Sequence, residues 1–192
     1  MKRSFARVIH ALVFAFVCFV PAACAAPLGL VLESGLTLRG SYRFTSAQAF
    51  ALALEFETPL AVPIPIDVSL TGKLGYDLSQ GGIEAGVLAK ALVFNSISGG
   101  LLGVGLWLEV DARNVATALN TFRVAFGPYL NLNVDPFYAT FSASLFSLTN
   151  GIYAFDLGLA ARYYIDIFAV ELGFDYNTIG TARATFGLRF TL

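Results

Sequence analysis

The chain has 192 residues, of which 57% are hydrophobic and 13% charged, with a formal net charge of -1 and a mean hydropathy of +0.71. A water-soluble domain of ordinary composition carries about 25% charged residues, so this one fits lipid better than water. With no basic excess, a nucleic-acid-binding face is excluded.

The first 25 residues read as a secretory signal peptide. Lys2, Arg3 and Arg7 form a basic start, and Val8 to Val20 is an apolar run interrupted only by His10. Pro21 leads into small residues, with Ala23-Cys24-Ala25 as an A-x-A-type cleavage site. The apolar run is short of the roughly 20 residues that a spanning helix needs. Cleavage after Ala25 leaves residues 26–192 as a single domain without Cys, His or Met, because Cys18, Cys24, His10 and Met1 all precede the cut. Thiolate and imidazole catalysis, disulfides and Cys/His metal sites are then excluded, so no catalytic residue, metal or cofactor is expected.

About ten strands are predicted from there on, or eight if some segments merge, most with period-two alternation. Leu28 to Phe44 sets Leu36, Leu38 and Tyr42 against Thr37, Arg39 and Arg43. Gln48 to Glu57 sets Phe50, Leu52, Leu54 and Phe56 against Ala49, Ala51, Ala53, Glu55 and Glu57. Ile66 to Leu78 opposes Val68, Leu70, Leu74 and Tyr76 to Lys73 and Asp77 among others. Ile83 to Phe94 is less regular, since its polar face holds Glu84 and Lys90 but also Leu88, Leu92 and Phe94. Next, Leu102 to Val110 opposes Trp107, Glu109 and Asp111, and Phe122 to Leu132 opposes Arg123, Tyr129 and Asn131. Phe137 to Leu148 has no charge and an ambiguous facing. Tyr153 to Tyr163 opposes Asp156 and Arg162, and Phe168 to Tyr176 opposes Glu171 and Asp175. The last strand, Ala182 to Leu192, carries Arg183, Thr185, Gly187 and Arg189 on its polar face. Turn signals between strands include Thr45-Ser46, Gln80-Gly81-Gly82, Ser98-Gly99-Gly100, Asp135-Pro136, Asn150-Gly151 and Asn177-Thr178.

Such a series fits an all-β, closed antiparallel up-and-down transmembrane β-barrel. A soluble periplasmic lipocalin-like carrier of an apolar ligand shares the same period with the apolar face turned inward. The polar face here is rich in Gly, Ala, Ser and Thr and has only two lysines, Lys73 and Lys90, unlike a water-facing surface. Membrane lipid is therefore the expected surroundings.

Residues Thr185 to Leu192 (polar, any, Gly, two residues, apolar, any, apolar) resemble the C-terminal assembly signal of small Gram-negative-type outer-membrane β-barrel proteins. The resemblance implies integral insertion in a bacterial outer membrane and recognition of Thr185–Leu192 by the assembly machinery. The enzymes of that class that resemble it in size (omptin proteases, the outer-membrane phospholipase, lipid A deacylases) depend on a histidine, which residues 26–192 lack.

The expected lumen-lining residues are Arg39, Arg43, Glu55, Lys73, Lys90, Trp107, Glu109, Asp111, Arg123, Arg162, Glu171, Asp175, Arg183 and Arg189. A two-residue turn between Ile165 and Phe168 sets Arg162 opposite Glu171, and a turn centred on Ile179 sets Asp175 opposite Arg183. Arg123 can reach Glu109 or Asp111, and a turn centred on Gln80-Gly81 would bring Asp77 opposite Glu84. Glu55 with Glu57, and Glu109 with Asp111, share a face and call for neutralisation by Arg39, Lys73, Lys90 or Arg123. Trp107 and Tyr129 would plug the lumen. Tyr42, Tyr76, Tyr129, Tyr153, Tyr163, Tyr164 and Tyr176 are expected mostly near strand ends, as interfacial girdles. No long loop suggests an adhesin or receptor. These features imply a structural or narrow-pore role for small solutes, without enzymatic activity.

Overall fold

A computed structural model describes residues 34–44, 49–64, 66–79, 81–96, 101–115, 118–148 and 151–192. The signal segment, the strand start expected over 28–33, and turn residues 45–46, 80, 98–100 and 150 lie outside the described residues.

Ten strands follow one another: β1 (Gly35–Phe44), β2 (Ala49–Leu60), β3 (Asp67–Asp77), β4 (Gly82–Ser96), β5 (Leu102–Val115), β6 (Ala118–Val134), β7 (Phe137–Leu148), β8 (Tyr153–Ile165), β9 (Phe168–Asn177) and β10 (Ala182–Thr191). Each pairs antiparallel with its sequence neighbours, and β10 returns to pair with β1 along Gly35↔Thr191 to Phe44↔Ala182. The Leu192 N–H donates to Ser34 O at 3.0 Å and seals the seam. Closure leaves no unpaired edge, which a wall in lipid requires because hydrocarbon offers backbone groups no partners. Strands of 10 to 17 residues are long enough to cross.

The two faces are chemically opposite. All nine basic residues between Ser34 and Leu192 stand at inward strand positions, and among the described residues no charged side chain occupies an outward one. Outward positions carry apolar side chains such as Leu54, Phe56, Leu74, Leu106 and Leu159, left 47–60% exposed. Water would make that exterior very costly, whereas lipid solvates it. The barrel is membrane-spanning, and its facing is the reverse of what an apolar-ligand carrier needs.

Tight turns fix the register. Asp166-Ile167 alone joins β8 to β9, with Asp166 at φ 52°, a left-handed conformation that Asp tolerates. This sets Ile165 opposite Phe168 and Arg162 opposite Glu171. At the β3–β4 turn the expected register is corrected. The Gly81 N–H donates to Asp77 O and the Ser79 N–H to Asp77 Oδ1, both at 2.9 Å, and Gly81 adopts φ +66°. The turn centres one residue earlier than Gln80-Gly81, pairing Asp77 with Gly82 and Glu84 with Gly75. Two carboxylates are thereby kept from facing each other.

The irregular strand β4 has a specific cause. Its register against β5 shifts between Leu92 and Phe94, a bulge that inserts Val93 as an extra residue. Leu88 and Leu92 point inward, buried, whereas Phe94 turns outward at 51% exposure, not inward as strict alternation implies. In β7 the uncharged strand resolves with Thr140, Ser142, Ser144 and Phe146 inward and Phe141 and Leu145 outward.

Outward aromatics gather at both ends: Tyr42, Tyr76, Tyr153 and Tyr176 at the end away from Gly35 (the distal mouth), and Phe137, Tyr163 and Phe190 at the end that holds it (the terminal mouth). Tyr129 and Tyr164 are corrections to the expected girdle, because both fall on inward positions. Tyr129 is 2% exposed in mid-strand, lying over Gly105 where any Cβ would collide with its ring. Tyr164 accepts a hydrogen bond from Arg162 Nη1 at 2.8 Å and packs edge-on against Tyr138.

Candidate lumen site

Inward positions bring the charges into two networks, one toward each mouth. In the terminal half, Glu57 is 2% exposed and takes three partners: Lys90, Arg189 Nη1 at 3.0 Å and the Ser69 hydroxyl at 2.8 Å. Arg39 Nη2 bridges Glu55 at 3.0 Å and Glu171 at 2.8 Å, and Glu171 also pairs with Arg162. Arg39 and Glu171 are on β1 and β9, separated by β10, yet they meet. The residue between them in both ladders is Gly187. A Cβ there would lie 3.3 Å from Glu171 Cβ and Oε2, a tight approach that glycine avoids.

The distal half repeats this device. Lys73 on β3 reaches over Gly86 of β4 to Asp111 on β5 at 3.4 Å, and also contacts Glu84 at 2.7 Å and Glu109 at 3.6 Å. A Cβ on Gly86 would run into the Asp111 carboxylate. Arg123 binds Glu109 at 2.6 Å, Asp111 at 3.3 Å and Asp156 at 3.2 Å, with its guanidinium over the Phe146 ring at 5.0 Å. Arg183 Nε pairs with Asp175 at 3.2 Å, directly across the ladder, and Arg113 pairs with Asp77. Arg43 stands opposite Arg183 and has no ion pair among the described residues.

An apolar cluster also lies inside the barrel, along the β4 to β8 side: Leu88, Leu92, Trp107, Ala125, Tyr129, Phe146 and Ala154. Trp107 is 5% exposed. A cavity toward the distal mouth offers about 40 Å³ to the centre of a water molecule, room for roughly three waters. Three further voids along the lumen are about 10 Å³ each. Among the described residues no group of three Asp, Glu, His or Cys is arranged to hold a metal ion.

All fourteen residues expected in the lumen occupy inward positions, but Arg43 joins neither network. Glu57, Asp77, Glu84, Arg113 and Asp156 complete the ion pairs without having been singled out as lumen sites. Arg113 continues the odd-numbered polar face of Glu109 and Asp111 by one step, a signal the sequence does contain. Phe146 had none, because nothing in its own strand is charged.

No family model and no curated protein matches the chain. Two solved structures share its architecture. The KdgM porin in complex with disordered oligogalacturonate matches with a TM-score of 0.50 at 7% identity, over 82% of this chain and 99% of that one. The NanC porin matches with a TM-score of 0.50 at 13% identity, over 82% of this chain and 100% of that one. At these identities the likeness is one of fold.

Proposed function

We propose that the protein is an integral outer-membrane barrel providing a narrow passage for small polar solutes, held nearly closed in the conformation described. The observation that carries this reading is the lumen itself: charged side chains line it from mouth to mouth, yet the four voids found along it offer only about 10 to 40 Å³ each. A hydrated solute could move only by exchanging partners with ion pairs already there, as small ions and water can. The porin architecture of the two similar structures supports the outer-membrane setting and a passage role. One of them was solved with oligogalacturonate, a far larger solute than these voids admit. Export with removal of residues 1–25 and recognition of Thr185–Leu192 by the assembly machinery belong to the same proposal. It assigns no catalytic residue.

A purely structural barrel is the second reading, favoured by the apolar cluster around Trp107 and Tyr129, which offers no polar path on that side. Single-channel recording of the refolded protein in planar bilayers separates the two. Small reproducible steps, enlarged by Arg123→Ala or Glu109→Ala, are expected for the passage. Silence from protein shown to be folded and inserted, in the wild type and both variants, would leave the structural role.

A further inference from the structure

We propose that the lumen holds a site for one small monovalent cation, at Asp156 in the void between Trp107 and β7. That void offers about 10 Å³ to the centre of a water molecule, and three acids line it, Glu109, Asp156 and Asp175, against two cations, Arg123 and Arg183. Arg183 is taken by Asp175 at 3.2 Å. Arg123 is shared by Glu109 at 2.6 Å, Asp111 at 3.3 Å and Asp156 at 3.2 Å. Lys73 does not make up the difference, because it serves Glu84 and Asp111 as well as Glu109. The distal half as a whole holds six acids against five cations.

The deficit falls on Asp156. It is 9% exposed, and its Oδ2 faces the over-shared Arg123. Its Oδ1 is buried and has no partner among the described residues. Leaving a carboxylate oxygen buried and uncompensated is costly. One water in the void would give a hydrogen bond to this oxygen and to Trp107 Nε1, which is buried without a partner too, but it would leave the charge. A cation beside Oδ1 neutralises it. Further oxygens stand close by in the ladder: Ser144 is opposite Asp156 on β7, and Ser142 is opposite Gly158, both serines being buried. Hard cations take carboxylate and hydroxyl oxygens of this kind. The void fits one ion no larger than a water molecule, and one surplus acid matches one positive charge. No three-residue cage of the sort a divalent metal needs is present among the described residues. The site depends on this void and its charge, not on whether the lumen conducts.

Trp107, the only tryptophan, lines the void and reports on it. In the test, sodium chloride replaces choline chloride at constant total concentration, so that ionic strength and anion stay fixed and the competing cation is too large to enter. The refolded full chain, its folding verified by heat-modifiable gel migration, should show a saturable change in Trp107 emission. Its urea midpoint should rise with sodium, because an ion held only by the folded state stabilises that state. Asp156→Asn, which keeps the volume and removes the charge, should abolish both effects. Ser144→Ala should move saturation to several-fold higher sodium, and an unmoved saturation point in that variant overturns the proposal even where Asp156→Asn fails to fold. A response that never saturates, or that persists in folded Asp156→Asn, also overturns it. Silence in both readouts does the same and leaves the oxygen to a proton or a water molecule. Tighter binding of calcium than of sodium overturns the monovalent assignment.

Discussion

Glu57→Gln should destabilise the barrel by about 3–5 kcal/mol, the usual cost of removing one partner from a buried ion pair. Glu57 is 2% exposed, and so are the two cations it neutralises, Lys90 and Arg189. Arg189 Nη1 lies 3.0 Å away. At that separation one unit pair is worth about 5 kcal/mol for an effective dielectric constant near 20, before desolvation is subtracted. Gln keeps the volume and an acceptor oxygen for the Ser69 hydroxyl, so the loss reports charge rather than shape. The assay is urea unfolding of the refolded protein in lipid vesicles, followed by emission from Trp107, the only tryptophan. Adding Lys90→Met to Glu57→Gln should recover part of the loss, because one of the two orphaned cations is then gone. A cost under about 1 kcal/mol, the value for an exposed pair, would refute the reasoning. It would mean that water reaches this depth and screens the network.

Two further substitutions test the wall. Leu106→Arg, at an outward mid-strand position 56% exposed, should cost about 2–4 kcal/mol in a bilayer. A change within about 0.5 kcal/mol, as on a water-facing surface, would sink the membrane facing. Gly127→Ala puts a Cβ against the Ala143 carbonyl and 2.7 Å from Ser144 Cα, so β6 and β7 must separate. It should lower the urea midpoint clearly, whereas Gly72→Ala, with nothing within 4 Å, should leave it nearly unchanged. Equal effects of the two alanines would show that the β6–β7 approach is looser than described.

The strand series was legible because alternation, turn residues and charge reinforce one another. The Asp166-Ile167 turn and the Arg162–Glu171 pair point to one register, and so do Arg183 and Asp175. The misread places are those where one signal stood alone. Nothing in β4 marks Val93 as an extra residue, since a bulge is a backbone event that hydrophobic side chains do not advertise. Between Asp77 and Gly82 the flexible Gly81-Gly82 pair allows two turn centres, and the hydrogen bonds to Asp77 decide between them. In β7, Phe and Ser occur on both faces, so only its ladder with β6 settles that Phe146 is inside.

Contacts that skip a strand were the hardest to see, and they determine how open the lumen is. Sequence reasoning pairs adjacent strands, so it reaches Arg183–Asp175 but not Arg39–Glu171, whose partners are 132 residues apart. The signal for such crossings is an inward glycine flanked in both ladders by opposite charges. Gly187 sits between Arg39 and Glu171, and Gly86 between Lys73 and Asp111. Short residues therefore do not by themselves widen this lumen, because at those two positions a salt bridge fills the space the side chain gave up. Around Ala49, Ala51 and Gly75 no such bridge crosses among the described residues, and Arg43, the ladder partner of Ala49, makes no ion pair there. That is where the cavity of about 40 Å³ lies.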